Sequence, residues 1–256
     1  MIGDGKIPEI SSIEGGEINW IEIPEQFLVR NESHALHDLI HAIYPELSTK
    51  YNDSSYLKEH GILAPKNADV DELNVIMLSM LLAESQKYLT ADMICLVEGE
   101  NIDEGMHSPE LLHSLNFSGI PSHCLELKKG APIMLLKNCN QSQGLCNGTR
   151  LIVEKMRDKV IEAQVITSLN IGEGVFISRI ILSPSTTHSS VPIKRRQFLI
   201  KQAFAMTINK SQGQTLKNIS VLYDALSRVT TPSGLKILIV NKVDQSSNYT
   251  KKCYAL

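Results

Sequence analysis

At 256 residues with 43% hydrophobic and 21% charged side chains, the chain has an ordinary globular composition, which excludes a disordered polypeptide and allows one full core plus a small satellite domain. The net charge of −3 excludes a globally basic nucleic-acid binder, so any such binding must be local. Five cysteines (Cys95, Cys124, Cys139, Cys146, Cys253) without C-x-x-C spacing indicate reduced intracellular thiols rather than a disulfide framework or a zinc site. No apolar run approaches the roughly 20 residues of a membrane span, so a nuclear or cytosolic chain with no membrane partner is expected.

In chain order, Ile18-Asn19-Trp20-Ile21-Glu22-Ile23 reads as a short strand stopped by Pro24. The earlier Gly5-Lys6 pair is not a phosphate loop, since no Gly-x-x-x-x-Gly-Lys-Ser/Thr frame exists anywhere in the chain. From Ser33, a helix N-cap, the apolar residues Leu36, Leu39, Ile40 and Ile43 predict an amphipathic helix ended by Pro45. His34, His37 and His41 share one side of it, and without a third or fourth ligand they read as a solvated face. Gly61 to Pro65 reads as a strand ending at a polar corner, where Asn67 or Asp69 caps a helix burying Val70, Leu73, Met77 and Leu81. Asp71 and Glu72 fall within that helical pattern and face water. Residues 84 to 117 read as a polar surface connection with an acidic patch of Glu98, Glu100, Asp103 and Glu104.

Between Pro121 and Ile166 the pattern changes to short runs, Leu125 to Leu127, Pro132 to Leu136, Thr149 to Val153 and Val160 to Ile166, divided by Gly and Asn turns such as Asn147-Gly148. That spacing predicts a small all-β barrel. Its polar tips, with Lys137, Asn138, Asn140 and Arg150, suit either DNA contact or turn chemistry alone. Val175 to Leu182 reads as another strand. After a Ser, Thr and Pro-rich loop comes Lys194-Arg195-Arg196, too short for a localisation signal. The apolar run Ala203 to Met206 then delivers Thr207, Lys210, Ser211, Gln212 and Gly213. This cluster lacks metal ligands but supplies one point charge, neutral hydrogen-bonding groups and a glycine that lets the backbone approach a phosphate. Taken alone it also fits an ordinary turn. Residues 244–256 form a polar tail.

The motif residues extend beyond this loop: Lys194-Arg195-Arg196-Gln197-Phe198, Ala203 through Leu216, and Ala225-Leu226-Ser227-Arg228-Val229, preceded by Gly144 to Val153 and Ile62 to Asn74 in the same order. Together they closely resemble the C-terminal motor region of Pif-type (Pif-one-like) superfamily-one B DNA helicases, especially the plant and Helitron-transposon branch. The resemblance implies an α/β fold: a RecA-like (P-loop NTPase type) second motor domain, called 2A, with an inserted SH3-like β-barrel, called 2B. The implied boundaries are 1–120 for the first part of 2A, 121–166 for the barrel and 167–243 for the rest of 2A. Single-stranded DNA is the implied partner, contacted by Pro65, Asn67, Thr207, Lys210, Ser211, Gln212 and Gly213. Lys66 stands where the family more often has threonine. ATP and magnesium are the family's cofactors; Gln212, Gly213 and Arg228 would face the nucleotide, and Arg228 would be the arginine finger stabilising charge on the γ-phosphate. Without that context, Arg228 reads as a surface ion-pairing arginine. In an intact relative this machinery would drive translocation in the 5′ to 3′ direction.

Two departures from the family pattern shape the expectation. The chain begins near the place where the family's first RecA domain ends, so the Walker motifs and magnesium site are expected to be missing and the chain alone is expected to be inactive as an ATPase. In addition, Ile219-Ser220-Val221 passes almost directly to Ala225-Leu226-Ser227-Arg228, as an internal deletion would produce. If the strands at 219–221 and 235–240 are parallel neighbours, their crossover sits at the lower limit of about a dozen residues; either the helix carrying Arg228 is short or the first strand is lost. Asp224 also puts a carboxylate where the family has valine. The alternatives are a non-enzymatic module that binds single-stranded DNA or docks on a separate first RecA domain or another protein, and a degenerate transposon-derived product.

Overall fold

The computed structural model describes residues 9–10, 20–22, 24–29, 35–94, 109–184 apart from 116, 118 and 169, 193–211, 218–221, 234–238 and 249–251. In chain order the elements are β1 (Glu9–Ile10), β2 (Trp20–Glu22), α1 (Ala35–Ile43), α2 (Leu47–Lys50), α3 (Ser54–Glu59), β3 (His60–Ala64) and α4 (Asn67–Met80). There follow β4 (Ser85–Leu89), β5 (Ala91–Ile94), α5 (Pro109–Ser114), β6 (Cys124–Lys128), β7 (Pro132–Leu135), β8 (Arg150–Met156), β9 (Val160–Val165) and β10 (Gly174–Leu182). The chain continues through β11 (Ile193–Phe198), β12 (Ile200–Gln202), β13 (Ala205–Thr207), β14 (Asn218–Val221), β15 (Leu235–Ile237) and β16 (Tyr249–Lys251). Two compact units result, one from Met1–Met80 with Phe204–Leu256, the other from Leu81–Ala203. No described helix is long and apolar enough to cross a membrane.

The first unit is built on a parallel sheet of order β13-β3-β14-β15. Its inner strand β3 is buried at every position, as expected of a parallel strand covered by helices. Helix α1 packs on β3, β14 and β15, while α4 packs on β3 and β13. The predicted periodicities account for both: Leu39, Ile40 and Ile43 of α1 and Val70, Leu73, Met77 and Leu78 of α4 are buried, whereas His37 and His41 are exposed. Leu81 is buried beyond the end of α4. Asp53 caps α3, its carboxylate accepting from the N–H of Ser55 at 2.9 Å and of Tyr56 at 3.2 Å. β1, β2 and β16 form a separate antiparallel ribbon.

The question left open by the short connection before β15 is resolved for the strand. β14 is present and parallel to both β3 and β15, with Ile219 opposite Gly61 and Leu235. The crossover, including Asp224 and Arg228, lies outside the described residues.

The second unit is antiparallel throughout, with a sheet of order β12-β7-β8-β9-β10-β11-β5 and a ribbon of β4 and β6. β11 and β12 are separated in sequence by Leu199 alone, yet they stand near opposite ends of that order. The sheet must therefore curl round on itself and enclose a core with Leu127, Ile133, Leu151, Ile161, Ile177, Phe198 and Ile200 among its members, while Ile120, Leu136, Leu182 and Leu199 form a smaller cluster in the same unit. Four of its strands, β6 to β9, match the predicted short runs. Around Asn147-Gly148 the Thr149 N–H bonds back to Cys146 O at 3.0 Å, with Gly148 at φ 91°, a positive-φ conformation that glycine adopts freely.

Three expectations change. The stretch 84–117 is not merely a surface connection, because it contains β4, β5 and α5; Tyr88 of β4 enters the core, and backbone pairing with β6 and β11 holds the polar strands. The compact unit Leu81–Ala203 is wider than the expected barrel segment 121–166, since β10, β11 and β12 share the sheet of β7 to β9. Arg150 is fully buried, with Nη2 donating to Ala203 O at 3.2 Å, and so is no barrel tip; the Asn138 side chain is likewise occupied in a turn, accepting from Asn147 N–H at 2.8 Å.

Candidate nucleic-acid interface

Parallel pairing decides where the predicted DNA-facing residues meet. β13 aligns with β3 so that Ala205, Met206 and Thr207 stand opposite Ile62, Leu63 and Ala64. Both strands therefore leave the sheet at the same edge, the carboxyl edge at which open α/β sheets place their ligand sites. From β3 the chain bends at Pro65-Lys66 into α4; from β13 it enters a short 3-10 helix, Ile208–Ser211, which packs against β3. Pro65 and Asn67 are thereby brought beside Thr207 and Lys210, although about 140 residues separate them in sequence.

The corner differs from the expected capping. The carbonyl of Lys66 accepts the Val70 N–H at 3.2 Å, so Lys66 occupies the N-cap position and Asn67 opens the first turn. Neither Asn67 nor Asp69 is the cap. A lysine side chain cannot accept from the first-turn N–H groups, which have no partners inside the helix by geometry. Pro65, Lys66 and Asn67 are exposed, while Thr207 and Lys210 are half-buried and Asn209 is exposed. Asp71 and Glu72 face water, as expected. The edge thus presents two lysines, a hydroxyl and a helix start, groups suited to phosphate oxygens.

Of the predicted site, Ser211 contributes its backbone to the 3-10 helix. Gln212, Gly213 and Arg228 lie outside the described residues. As to ATP and magnesium, the described residues at this edge supply Thr207 and Lys210, and the sequence holds no phosphate-loop frame.

Sequence reasoning missed what holds the edge together. Ile62 N–H donates to Phe204 O at 3.2 Å, which turns the N–H and C=O of Ala205 away from β3. The buried Asn74 of α4 satisfies both, Nδ2 donating to Ala205 O at 3.0 Å and Oδ1 accepting from Ala205 N–H at 2.9 Å. Tyr44 OH adds a bond to Phe204 O at 3.0 Å. The available signal was a polar residue in the buried stripe of α4, because buried amides are retained where they find partners.

Comparison with known proteins bears on this geometry. Residues 110–156, from α5 to the end of β8, match the family described as "DNA helicase Pif1, 2B domain". The ATP-dependent DNA helicase PIF1 of Xenopus laevis is 28% identical over 214 residues, covering 77% of this chain and 31% of that one. The Homo sapiens protein of the same name is 33% identical over 149 residues, covering 53% and 22%. Residues 110–156 carry the Pif1 2B domain match, and the chain is similar to the C-terminal part of Pif1-type DNA helicases. It spans less than a third of the length of these two relatives. Among solved structures, Pif1 helicase from Candida albicans matches at a TM-score of 0.52 and 22% identity over 83% of this chain and 54% of that one. Pif1 helicase from Bacteroides, in complex with ADP-AlF3 and ssDNA, matches at a TM-score of 0.52 and 22% identity over 87% and 53%. The Pif1 fold is thus present in its α/β, RecA-like form, with the 2B match inside the antiparallel unit Leu81–Ala203.

Proposed function

We propose that the chain serves a Pif1-type ATP-dependent 5′ to 3′ DNA helicase as the part that grips single-stranded DNA on the carboxyl edge of its parallel sheet. The observation that carries this reading is the adjacency of the β3 and β13 exits, which puts Pro65 and Asn67 beside Thr207 and Lys210. A Bacteroides Pif1 structure bound to ssDNA and ADP-AlF3 supports single-stranded DNA as the ligand class. In this reading Lys66 and Lys210 meet phosphates, Thr207 and Asn67 fix the backbone, and Ser211, Gln212 and Gly213 continue the same loop. Arg228 would act as an arginine finger toward a nucleotide shared with a first RecA domain, and Gln212 and Gly213 would approach that nucleotide. ATP and magnesium would be held mainly by that other domain, so the 256 residues alone would not turn over ATP. The motifs at 203–216 and 225–229 carry the likeness to the plant and Helitron-like branch, and the setting would be nuclear or cytosolic. A role in DNA repair or recombination follows only from the proposed helicase activity.

One observation favours a second reading, a single-stranded-DNA-binding module without motor activity. The segment 222–234 between β14 and β15 is near the minimum for a parallel crossover, which constrains the station of Arg228. A degenerate transposon-derived product would retain neither activity.

Binding of a fluorescent oligothymidylate across a salt series tests the main reading. Affinity should fall with salt, and Lys210→Ala should weaken binding and reduce the slope of log affinity against log salt by about one. Affinity indifferent to salt and to Lys210→Ala removes its basis.

A further inference from the structure

A second cluster of chemically capable side chains lies within the antiparallel unit. Asp92 of β5, His113 of α5 and His123, just before β6, each offer one ligand atom, and these atoms all lie within 4.8 Å of one another. The imidazoles of His113 and His123 are stacked, with centroids 3.6 Å apart and planes 20° from parallel.

The convergence is built into the fold. Arg195 of β11, fully buried, donates through Nε and Nη2 to the Asp92 carboxylate, and through Nη1 and Nη2 to the carbonyls of Leu115, Pro121 and Leu112. Those three carbonyls flank His113 and His123, so one guanidinium fixes all three ligand-bearing segments. The backbone N–H of Thr90 donates to His123 O at 2.9 Å, and Thr90 Oγ1 meets His123 Nδ1 at 2.6 Å. With Nδ1 occupied, Nε2 is the nitrogen left for a metal, the arrangement in which an outer hydrogen bond orients a ligating histidine.

We propose that Asp92, His113 and His123 bind a divalent transition metal, Zn²⁺ by donor type, joining α5 to β5 and to the segment entering β6. Two imidazoles with one carboxylate select such an ion over Mg²⁺ or Ca²⁺, and a water completes a four-coordinate set. Asp92 accepts from Arg195 yet keeps lone pairs for a metal, since an ionised carboxylate offers about four acceptor sites. At about 2.1 Å from a tetrahedral zinc, ligand atoms stand about 3.4 Å apart. The cluster therefore closes by up to about 1.4 Å, and the exposed His113 rotates out of its stack on His123 so that both in-plane lone pairs meet the ion. The absence of C-x-x-C spacing says nothing against such a site, because its ligands come from three separated segments and include no cysteine.

The test is calorimetric titration of the full 256-residue chain, freed of metal by chelation, with zinc sulfate. One tight site is expected; His113→Ala and His123→Ala should each weaken it at least tenfold, and Thr90→Ala about tenfold through the outer hydrogen bond. His37→Ala, on exposed α1, should leave it unchanged. His113 is exposed, so His113→Ala keeps the native far-ultraviolet circular dichroism and its loss of binding reads as loss of a ligand. Loading with Co²⁺ should give the visible bands of a nitrogen and oxygen site without thiolate charge transfer. No zinc binding, binding unchanged in the His113→Ala/His123→Ala double variant, or a thiolate band each overturn the proposal.

Discussion

Asn74 grips Ala205 with both ends of its side-chain amide, Nδ2 donating at 3.0 Å and Oδ1 accepting at 2.9 Å. The contact closes the outward-facing polar groups of β13 and ties it to α4, the helix that begins at the Asn67 corner. The edge proposed to grip DNA therefore depends on a residue outside the proposed contacts. Asn74→Ala should destabilise the parallel unit by about 1–3 kcal/mol, because it leaves a buried N–H and C=O without partners. Urea denaturation measures this; a change below about 0.5 kcal/mol would mean the amide is dispensable.

The basic run at 194–196 divides by strand alternation. Lys194 and Arg196 are exposed, while Arg195 is buried against Asp92 at 2.9 Å, with side chains 0% and 2% exposed. Arg195→Met strands a buried carboxylate and should cost about 3–5 kcal/mol, whereas Lys194→Ala and Arg196→Ala should stay within about 0.5 kcal/mol. Equal effects across the three would contradict the buried pair.

Tyr88 sets an alkaline limit. Burial first, then Asp158, pushes its hydroxyl up to about 12, against a partial opposing effect of Arg179. Below pH 10 both folded and unfolded forms keep the proton and this contribution is fully present. Above it the unfolded chain ionises first, so stability should decline between about pH 10 and pH 12. Tyr88→Phe should remove that part of the decline without loss at neutral pH, since the Tyr88 hydroxyl has no hydrogen-bond partner among the described residues. Tyrosinate absorbance paired with alkaline denaturation checks it.

ATP turnover gives a separate test. The purified 256-residue chain should show no hydrolysis above background with single-stranded DNA present, and Arg228→Ala should change nothing, because no phosphate-loop frame exists in its sequence. DNA-stimulated turnover lost on Arg228→Ala would reverse this reading.

Much of the fold was legible where burial imposes a period. α1 and α4 followed from their apolar faces, and β6 to β9 from short runs divided by turns. β4 and β5 were not, because their Ser-Gln-Lys-Tyr-Leu and Ala-Asp-Met-Ile sequences carry little apolar alternation and owe their state to pairing with β6 and β11. The same limit applies to the site. Pro65, Asn67, Thr207 and Lys210 could be named from motifs, yet their adjacency depends on β3 and β13 pairing across an intervening unit, and no local pattern encodes that. Arg195 stands in the middle of a basic run, and only its strand register turns it inward.

Hydrogen–deuterium exchange with and without oligothymidylate tests the proposed grip most directly. Binding should protect residues 64–69 and 207–211 together, the two chain exits that meet at one edge of the parallel sheet. Protection confined to Leu81–Ala203, or seen at only one of the two exits, would contradict it.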